Sequence, residues 1–505
     1  MSVSFDLLAE PWIPATRLDG GRVELSLIGT FARAHELAEV VDQSPLVTVG
    51  LHRMLLAVLH RAYAGPRDMR AWQAIWGSRC FDEAILARYL DTVADRWDLF
   101  HPVYPWYQTG NMPAGYKARS VRALDPLSSA YGAVAKLYDG TPDSAGATPA
   151  QAARWLLAQQ TFALPGTTGH VAGESPAASA APLTKAAAAI VIGPTLFRTL
   201  LLNLTPYEHL EEDQPAWERG GAANGERLPT GLVDLLTWQA RRLCLLQPED
   251  PGEVRHVQIA AGWGFPKSGT GKDRTTWQPV DLEPMVAWRE TTKGGLVPFG
   301  VTGERALWRD STALLVDGED QRPPMVLSWA RDLRTAGLVA DADVAGLDMT
   351  GIATAPPPEQ YKITVCRSER ISVSLSGPSR SSDAAGLADR AWLALRGAIL
   401  WAKAPRLAAV PPDRLATARS MAVAPAGAAF WGALEPDFRW WVGGEDDLSG
   451  WARMVGQAAW RAFDGVADDD PTSPGFEHWF RAGRLLRGSL SKALEGGYDD
   501  NNGTT

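Results

Sequence analysis

The polar segment 374–383 marks the point where the hydrophobic pattern of the sequence changes. It consists of Ser-Leu-Ser-Gly-Pro-Ser-Arg-Ser-Ser-Asp, which is the composition of a linker. Before it, runs of alternating apolar residues mix with helical patterns, and 361–367 is the clearest strand. After it, the strand signals stop. We therefore predict an α+β protein with a large mixed N-terminal domain over 1–375 and a helical C-terminal domain over 384–495.

The C-terminal domain is predicted to be an antiparallel four-helix bundle. Apolar residues recur there at i, i+3 and i+4 in several stretches joined by short polar loops. The stretches are 387–403, 425–442, 448–463 and 474–494, with a shorter candidate at 413–421. Helices of ordinary length with short connections pack most simply as antiparallel neighbours.

The N-terminal domain begins with a predicted hairpin. Residues 7–14, Leu-Leu-Ala-Glu-Pro-Trp-Ile-Pro, are interpreted as an edge strand that Pro11 ends, because proline lacks the N–H donor. The run 19–21, Asp-Gly-Gly, is a tight-turn signal, and 22–27 alternates as the return strand. Further along, the spacing predicts helices at 45–64, 82–93 and 149–160, with another beginning near Ala181.

Charge limits how this chain could contact nucleic acid. The 505 residues carry a formal net charge of −9, whereas proteins that bind nucleic acid alone usually carry a positive excess. The field of the whole chain would repel phosphate. Any contact with DNA would therefore use local patches, or would occur in an assembly whose other subunits supply positive charge.

The cysteines and the apolar segments favour a cytoplasmic protein. Cys80, Cys244 and Cys366 have no paired spacing, which argues against a disulfide framework and against a cysteine-rich zinc site. The N-terminus shows no basic region followed by an apolar run. The most apolar segment, 186–204, is interrupted by glycine, proline and arginine, so we predict no membrane span. No metal or cofactor is expected.

None of the candidate catalytic motifs has the spacing that its chemistry needs. His52 and His60 lie eight residues apart on one predicted helix face, but no carboxylate stands at ligand spacing beside them. The run 269–272, Gly-Thr-Gly-Lys, differs from a phosphate-binding loop because Asp273 replaces the required Ser or Thr. The aspartates at 468–470 are better explained as a solvated loop. No class of enzyme is predicted.

Two loops are candidates for contact with a ligand. Residues 165–170, Pro-Gly-Thr-Thr-Gly-His, form a tight turn whose glycines permit close backbone approach, although an ordinary helix connection explains the same residues. The prolines at 356–358 form a stiff run that leads through Glu359 and Gln360 into the strand 361–367. That run could hold a polar tip in a fixed place, and a plain surface turn is an equal alternative.

Two groups of basic residues are candidates for contact with phosphate. Lys267 and Lys272 lie in a flexible Gly/Ser/Thr loop, which either contacts phosphate or is merely solvated. Arg481, Arg484 and Arg487 lie three apart on the last predicted helix and form a basic stripe. Such a stripe also serves simply to make a helix soluble, and the sequence favours neither interpretation.

Five short motifs occur along nearly the whole chain, and their order makes them specific as a set. They are the apolar run into Trp-Ile-Pro at 7–14, Phe-His-Pro-x-x-Pro-aromatic-x-Gln at 100–108, Gln-Pro-x-Trp at 214–217, Thr-Trp-Gln at 237–239 and Phe-Trp-Gly-Ala-Leu-Glu-Pro at 430–436. In this order they resemble the large subunit of the type I-E CRISPR Cascade surveillance complex, the CasA family.

The resemblance implies a fold, a function and partners. Members of the family have a mixed N-terminal domain followed by a four-helix bundle, and they catalyse no reaction. The subunit lies at one end of a crRNA-guided complex, checks the protospacer-adjacent motif (PAM) of double-stranded target DNA, helps to open the duplex and recruits a helicase-nuclease. The implied partners are the other Cascade subunits with crRNA, the target DNA and the helicase-nuclease. The alternatives are a general scaffold without DNA contact, or an enzyme with an unrecognised site.

The resemblance also assigns PAM contacts to residues of this chain. The family contacts the PAM from the minor groove through a glycine loop, a lysine finger and a glutamine wedge. The loop corresponds to Gly166, Thr167, Thr168 and Gly169. The finger corresponds to Lys267 by position or to Lys272 by loop placement, and the wedge to Gln360 with Glu359 before it.

Further contacts are expected outside the PAM. An aromatic residue of the family meets the crRNA 5′ handle, and Tyr138 is the candidate for that contact here. The basic stripe is expected to face displaced DNA strand or a neighbouring subunit. Some members carry Cys-x-x-Cys pairs and this chain has none, so no zinc site is expected. Glu359 is a departure, because its carboxylate would repel phosphate.

Overall fold

The computed structural model describes residues 3–495 except 111, 114, 129–130, 132–144, 249, 269–274, 292–294, 302–306, 308–320, 356–361, 374, 376–379, 444–447 and 467–475. Within these ranges the chain forms two compact units, one up to Ile371 and the other from Ser372 onward. The first unit mixes helices with several small sheets, so the predicted α+β class is confirmed. The domain limits of 1–375 and 384–495 stay a prediction about parts that fold independently.

One long helix of the first unit is buried along almost its whole length. Pro45–Tyr63 has proline in its first turn, where the missing N–H costs nothing, and it ends at Ala64 in the left-handed conformation. The helices predicted at 45–64, 82–93 and 149–160 are confirmed with small shifts in their ends. The described part of this unit contains the helices Leu27–Ala32, Pro45–Tyr63, Met69–Ser78, Glu83–Thr92, Pro149–Phe162, Leu196–Leu202, Ala216–Arg219, Leu232–Leu236 and Met325–Thr335.

In the residues that the structure describes, the sheets of the first unit have two or three strands each. In spatial order, the three-stranded sheets are Arg22–Leu25 with Ile13–Arg17 and Leu37–Val40; Arg119–Ser120 with His256–Ala261 and Arg241–Leu245; Leu296–Pro298 with Trp288–Glu290 and Gln321–Arg322; and Ile363–Ile371 with Gly346–Thr354 and Ala188–Ile192. The two-stranded sheets are Gly166–Thr167 with Ala177–Ala178, Lys267–Ser268 with Thr275–Thr276, and Gly225–Glu226 with Trp263–Gly264.

The predicted N-terminal hairpin is present, but its first strand starts later than predicted. Ile13–Arg17 pairs antiparallel with Arg22–Leu25, and Gly20 lies in the turn with φ +84°, which favours glycine. Residues 7–10 form a turn and not a strand. The reason is that Asp6 accepts hydrogen bonds from the N–H groups of residues 8–10, from the first through its side chain and from the other two through its carbonyl.

Three of the motifs that carry the family resemblance contribute tryptophans to one aromatic cluster. The indole N–H of Trp12 donates to the carbonyl of Leu7 at 2.9 Å, and its ring meets Trp106 edge-on with centroids 5.3 Å apart. Trp97 contacts both Trp106 and Trp217, at centroid distances of 5.6 and 4.9 Å. Such pairs add about 0.5–1.5 kcal/mol each beyond area burial. These tryptophans therefore stabilise the core.

The helix predicted to begin near Ala181 is a strand. Ala188–Ile192 is buried at every position and pairs with Gly346–Thr354, whose other edge pairs with Ile363–Ile371. Alanine favours helices in isolation, but periodicity cannot distinguish a short buried strand from a helix, and burial in the sheet decides the outcome here. The strand predicted at 361–367 corresponds to Ile363–Ile371 of the same sheet, and residue 361 lies outside the described residues.

The second unit is helical in its described residues. The helix Arg380–Ala402 contacts each of the other three long helices, and the indole N–H of Trp451 donates to the carbonyl of Ala384 at 2.8 Å. The helices are Arg380–Ala402, Ala404–Ala408, Pro412–Gly443, Leu448–Asp464 and Phe476–Glu495. Among the helices described in either unit, none is long and apolar enough to cross a bilayer.

Two predicted boundaries in this unit are wrong. The stretches 413–421 and 425–442 belong to one helix, Pro412–Gly443, which continues through two internal prolines. Each proline removes a backbone hydrogen bond, but the helix buries residues on both sides of the first one, such as Val423 and Phe430, and this packing holds it together. The linker is predicted to extend to residue 383, but its last four residues form the first turn of Arg380–Ala402.

Candidate nucleic-acid interface

The first half of the predicted glycine loop, 166–169, is one strand of a short hairpin. Gly166–Thr167 pairs antiparallel with Ala177–Ala178, and the N–H of Thr168 donates to the carbonyl of Pro176 at 2.9 Å. The side chain of Thr167 is exposed. The loop is therefore fixed by backbone hydrogen bonds and not a loose connection between helices.

Gly169 lies so close to a neighbouring sheet that only glycine fits without a shift. Its N–H donates at 3.2 Å to the carbonyl of Ile259, in the strand His256–Ala261. A Cβ on Gly169 would lie 2.8 Å from that carbonyl oxygen, which is closer than real Cβ contacts. Gly166 has φ +153°, which also favours glycine. The path of the backbone thus requires both glycines.

Lys267 begins a second hairpin, in which Lys267–Ser268 pairs with Thr275–Thr276. Its ammonium nitrogen lies 3.3 Å from a carboxylate oxygen of Glu226 and 3.5 Å from the hydroxyl oxygen of Ser179. Both charged side chains are partly exposed, so this ion pair is weak and a phosphate could replace the carboxylate. Lys272, the other candidate for the finger, lies outside the described residues.

The structure brings Lys267 next to the glycine loop through one strand. Ser179, whose hydroxyl contacts Lys267, directly follows Ala177–Ala178, the strand that pairs with the loop. The start of the Lys267 hairpin is packed into the core, because the ring of Phe265 contacts that of Trp238 with centroids 4.9 Å apart. Two elements predicted separately from the sequence therefore share one surface.

The segment 356–361, which contains both predicted wedge residues, lies outside the described residues, and both strands that flank it are described. Gly346–Thr354 precedes it and Ile363–Ile371 follows it, paired antiparallel along nearly their full lengths. The N–H of Ala355 donates to the carbonyl of Lys362 at 2.8 Å. The described residues on either side of it thus belong to one ladder. Tyr138, the predicted contact for the crRNA handle, also lies outside the described residues.

The basic stripe is exposed on the last helix of the second unit, Phe476–Glu495. It consists of Arg481, Arg484 and Arg487. The first of these forms an ion pair with Glu477 one turn earlier, and the guanidinium of the second lies 5.1 Å from the ring centroid of Phe480. The ion pair neutralises part of the stripe, but at exposed positions it is weak enough to be exchanged for phosphate.

Sequence reasoning missed a group of polar residues beside the glycine loop. A cavity of about 350 Å³ adjoins the loop, and its described lining includes Arg119, Tyr131, Gln159 and Arg241. Arg241 is almost fully buried and donates to backbone carbonyls. Burial lowers the pKa of its guanidinium to about 10. The only signal in the sequence was a pair of adjacent arginines, 241–242, directly before the apolar run Leu-Cys-Leu-Leu.

The two histidines considered as a metal pair are core residues. The Nδ1 atoms of His52 and His60 lie 2.8 and 3.0 Å from the carbonyl oxygens of Thr48 and Gly65. Burial lowers the pKa of His60 to about 4, which keeps its ring neutral at physiological pH. Among the described residues, no three His, Cys, Asp or Glu side chains are grouped so that they could hold a metal ion.

Known proteins resemble this chain in both sequence and fold. The profile of the family "CRISPR-associated protein Cse1" matches residues 6–462. The "CRISPR-associated protein CasA/Cse1" of Thermus thermophilus is 37% identical over 324 residues, which are 62% of this chain and 60% of that protein. The structure of Thermus thermophilus CasA (Cse1) covers 98% of this chain and 100% of its own, with a TM-score of 0.74 and 28% identity. A chain in a structure of a CRISPR RNA-guided surveillance complex shares the fold, with a TM-score of 0.73 and 21% identity over 97% and 99% of the two chains.

The matching profile and the shared fold define the class of protein, which is CRISPR-associated. The chain belongs to the Cse1 family, because the family profile extends over most of its length. The resemblance to the CasA family noted in the sequence is thereby confirmed.

Proposed function

We propose that this chain is the non-catalytic large subunit of a type I-E, crRNA-guided surveillance complex in the cytoplasm. In that complex it reads the PAM of double-stranded target DNA from the minor groove, helps to open the duplex so that an R-loop forms, and recruits the helicase-nuclease. The observation that carries the proposal is that Lys267 contacts Ser179, which directly follows the strand paired with the glycine loop. Membership in the Cse1 family supports the partnership with other Cascade subunits and crRNA.

The chemistry of this surface suits the minor groove. That groove distinguishes A·T from G·C pairs but little else, so a protein that reads it accepts several related PAMs. Backbone without a side chain can lie close to the groove floor, where the N2 amino group of guanine would intrude. A lysine beside the loop adds contact with phosphates or with base acceptors. The specificity for the rest of the target is then left to pairing with the guide, as in another RNA-guided effector.

We further propose that the four long helices from Arg380 onward form the antiparallel bundle and that its basic stripe faces the displaced strand or a neighbouring subunit. Support comes from the contacts that Arg380–Ala402 makes with the other three helices. The helix Phe476–Glu495 buries Ala482 and Leu486, whereas the stripe projects from its other face. The stripe is therefore available to a partner.

The free chain is expected to bind PAM-bearing duplex weakly, with a Kd of about 10⁻⁴–10⁻⁶ M, as for non-specific binding. Its net charge of −9 opposes the approach of phosphate. In the complete complex, meaning this chain with the other subunits and crRNA, the affinity should rise at least about 100-fold, towards the values of specific complexes. The measurement is titration of one labelled duplex with the free chain, the complex without this chain, and the complete complex.

A duplex with a scrambled PAM is the control for this experiment. The complete complex should bind it more weakly, and the complex without this chain should not distinguish the two duplexes. Equal affinity of the free chain and the complete complex for the PAM-bearing duplex would contradict the dependence on assembly. A chain that joins the complex without adding any preference for the PAM would be a scaffold, and the proposed function would be wrong.

Reversal of all three arginines of the basic stripe to glutamate is expected to weaken the opened-duplex state or partner docking at least about tenfold, which is ~1.4 kcal/mol. Attraction to phosphate or to an acidic partner becomes repulsion at exposed positions. Substitutions at such positions usually change the free energy of unfolding by only about 0.5 kcal/mol, so the fold should persist. The measurements are R-loop dissociation and recruitment of the nuclease.

A matched control reverses three other exposed arginines of the same unit. These are Arg396, Arg414 and Arg419. The control changes the net charge equally but leaves the stripe intact, so R-loop stability and recruitment should stay as in the wild type. If both triple variants behave alike, the effect is one of total charge and the proposed role of the stripe is wrong.

A further inference from the structure

The cavity beside the glycine loop has the lining of an anion site. Its volume is about 350 Å³, and its described lining contains two arginines, Arg119 and Arg241, and no Asp or Glu. Arg119 and Thr167 are exposed and mark its mouth, whereas Gln159 and Arg241 are almost fully buried. The cavity therefore leads from solvent to a buried positive charge.

Arg241 brings that charge to the cavity, and no carboxylate of the described residues neutralises it. Its guanidinium donates to backbone carbonyls, and among the described residues it forms no ion pair. Carbonyl dipoles solvate a guanidinium but do not cancel its net charge, and an uncompensated buried charge is costly. The next residue, Arg242, shows the contrast, because it lies 2.6 Å from a carboxylate oxygen of Glu174 and is paired. The fold neutralises one of the two neighbours and leaves the other facing the cavity.

Gln159 provides an independent sign of a missing partner. Its carboxamide oxygen is buried and has no hydrogen-bond partner among the described residues, although the phenol of Tyr131 lies close to its side chain. That phenol oxygen accepts the N–H of Leu164 at 2.9 Å, so its own proton is available to donate. With the amide placed so that the phenol donates to the oxygen of Gln159, the amide N–H groups stay free on a side chain that lines the cavity. An anion in the cavity would then accept from them.

We infer that this cavity binds a phosphate group, with the guanidinium of Arg119 at its mouth and the charge of Arg241 and the amide of Gln159 below. The planar fork of an arginine matches two phosphate oxygens at once. The inference rests on the proposed function for its ligand, a backbone phosphodiester of the target duplex. The minor groove is only about 6 Å wide, so phosphates flank any loop that enters it. A free phosphate is the other source of the same chemistry.

The test begins with Arg119→Gln in the complete complex, because Arg119 is exposed and its loss should leave the fold intact. The affinity for PAM-bearing duplex should fall about 3–10-fold, and the slope of log Kd against log salt should decrease by about one, as for one lost phosphate contact. Duplexes with one phosphate at a time replaced by an uncharged methylphosphonate then locate the contact. One replacement should weaken the wild-type complex and have no further effect on the variant.

Arg88→Gln is the matched control, since it removes the same charge from an exposed position on the helix Glu83–Thr92 and should leave affinity and slope unchanged. Calorimetry of the full-length chain with inorganic phosphate tests whether the cavity binds a free phosphate instead of a DNA phosphate. If the wild type binds inorganic phosphate, Arg119→Gln does not, and no methylphosphonate position is coupled to Arg119, then the ligand of the cavity is a free anion. If Arg119→Gln matches Arg88→Gln on DNA and inorganic phosphate does not bind, the inference is overturned. Discrimination of the PAM by the wild-type complex would persist in that case, which separates this failure from failure of the proposed function.

Discussion

Gly169→Ala is expected to lower the affinity of the complete complex for PAM-bearing duplex at least about tenfold, or ~1.4 kcal/mol. The added Cβ would lie 2.8 Å from the carbonyl oxygen of Ile259 and 3.5 Å from the ring of Tyr116. Ile259 belongs to the middle strand of a three-stranded sheet, so the loop and not the strand must shift. Such a shift removes the close approach of backbone to the groove floor. Titration with PAM-bearing and scrambled duplexes measures the effect.

Binding must be separated from unfolding in this variant, because overpacking typically costs about 1–3 kcal/mol of stability. Gly77→Ala is the matched control. It adds the same methyl group to the same unit, on the helix Met69–Ser78, where a Cβ meets nothing within 4 Å. Thermal unfolding of both variants shows whether they are folded. A folded Gly169→Ala complex that distinguishes the two duplexes as well as wild type does would exclude a need for glycine at this position.

Helices with strong end signals could be predicted from the sequence. Pro149–Phe162 begins after Thr148, which forms a capping box with Gln151 and is followed by proline, so three local preferences agree on where it starts. The strand Ala188–Ile192 has no such agreement, since alanine favours a helix and only burial between other elements makes it a strand. The path of Pro412–Gly443 through its internal prolines likewise depends on tertiary packing.

The candidate site shows the same division between local and long-range information. The glycines at 166 and 169 could be singled out because a residue without a side chain has few other uses in a polar loop. Alternation along a strand predicts that Arg241 and Arg242 face opposite sides, but which of the two meets a carboxylate could not be predicted from their local sequence. Only the fold places Glu174 beside one and the carbonyl of Leu164 beside the other.

The two strands that flank the predicted wedge are firmly held in one sheet. Gly346–Thr354 is the middle strand of its sheet and pairs along nearly its whole length with Ile363–Ile371. Across this pair, the guanidinium of Arg370 donates to both carboxylate oxygens of Asp348, at 2.6 and 2.8 Å. Ile363, the first residue of the following strand, is buried. The residues on both sides of 356–361 are therefore held by the ladder and by the core.

Gln360→Ala is expected to slow the opening of fully paired targets by roughly 10–100-fold, which is about 1.4–2.8 kcal/mol of activation free energy. Unstacking of one base step costs a few kcal/mol, and a polar wedge offsets part of it by occupying the space of the displaced pair. The amide offers both donors and acceptors to the exposed base edges, and alanine offers neither. The three prolines before it limit the conformational freedom that is lost when the tip inserts.

Targets that are already mismatched next to the PAM distinguish a wedge from a simple contact. On these targets the unstacking cost is absent, so Gln360→Ala should open them almost as fast as the wild type does. Gln43→Ala is the control, because it removes an exposed amide elsewhere in the same unit and should affect neither target. Strand separation followed with a fluorescent base analogue beside the PAM measures both rates. An equal loss on paired and pre-opened targets would mean that Gln360 contributes binding affinity alone, since only a wedge acts through the cost of opening.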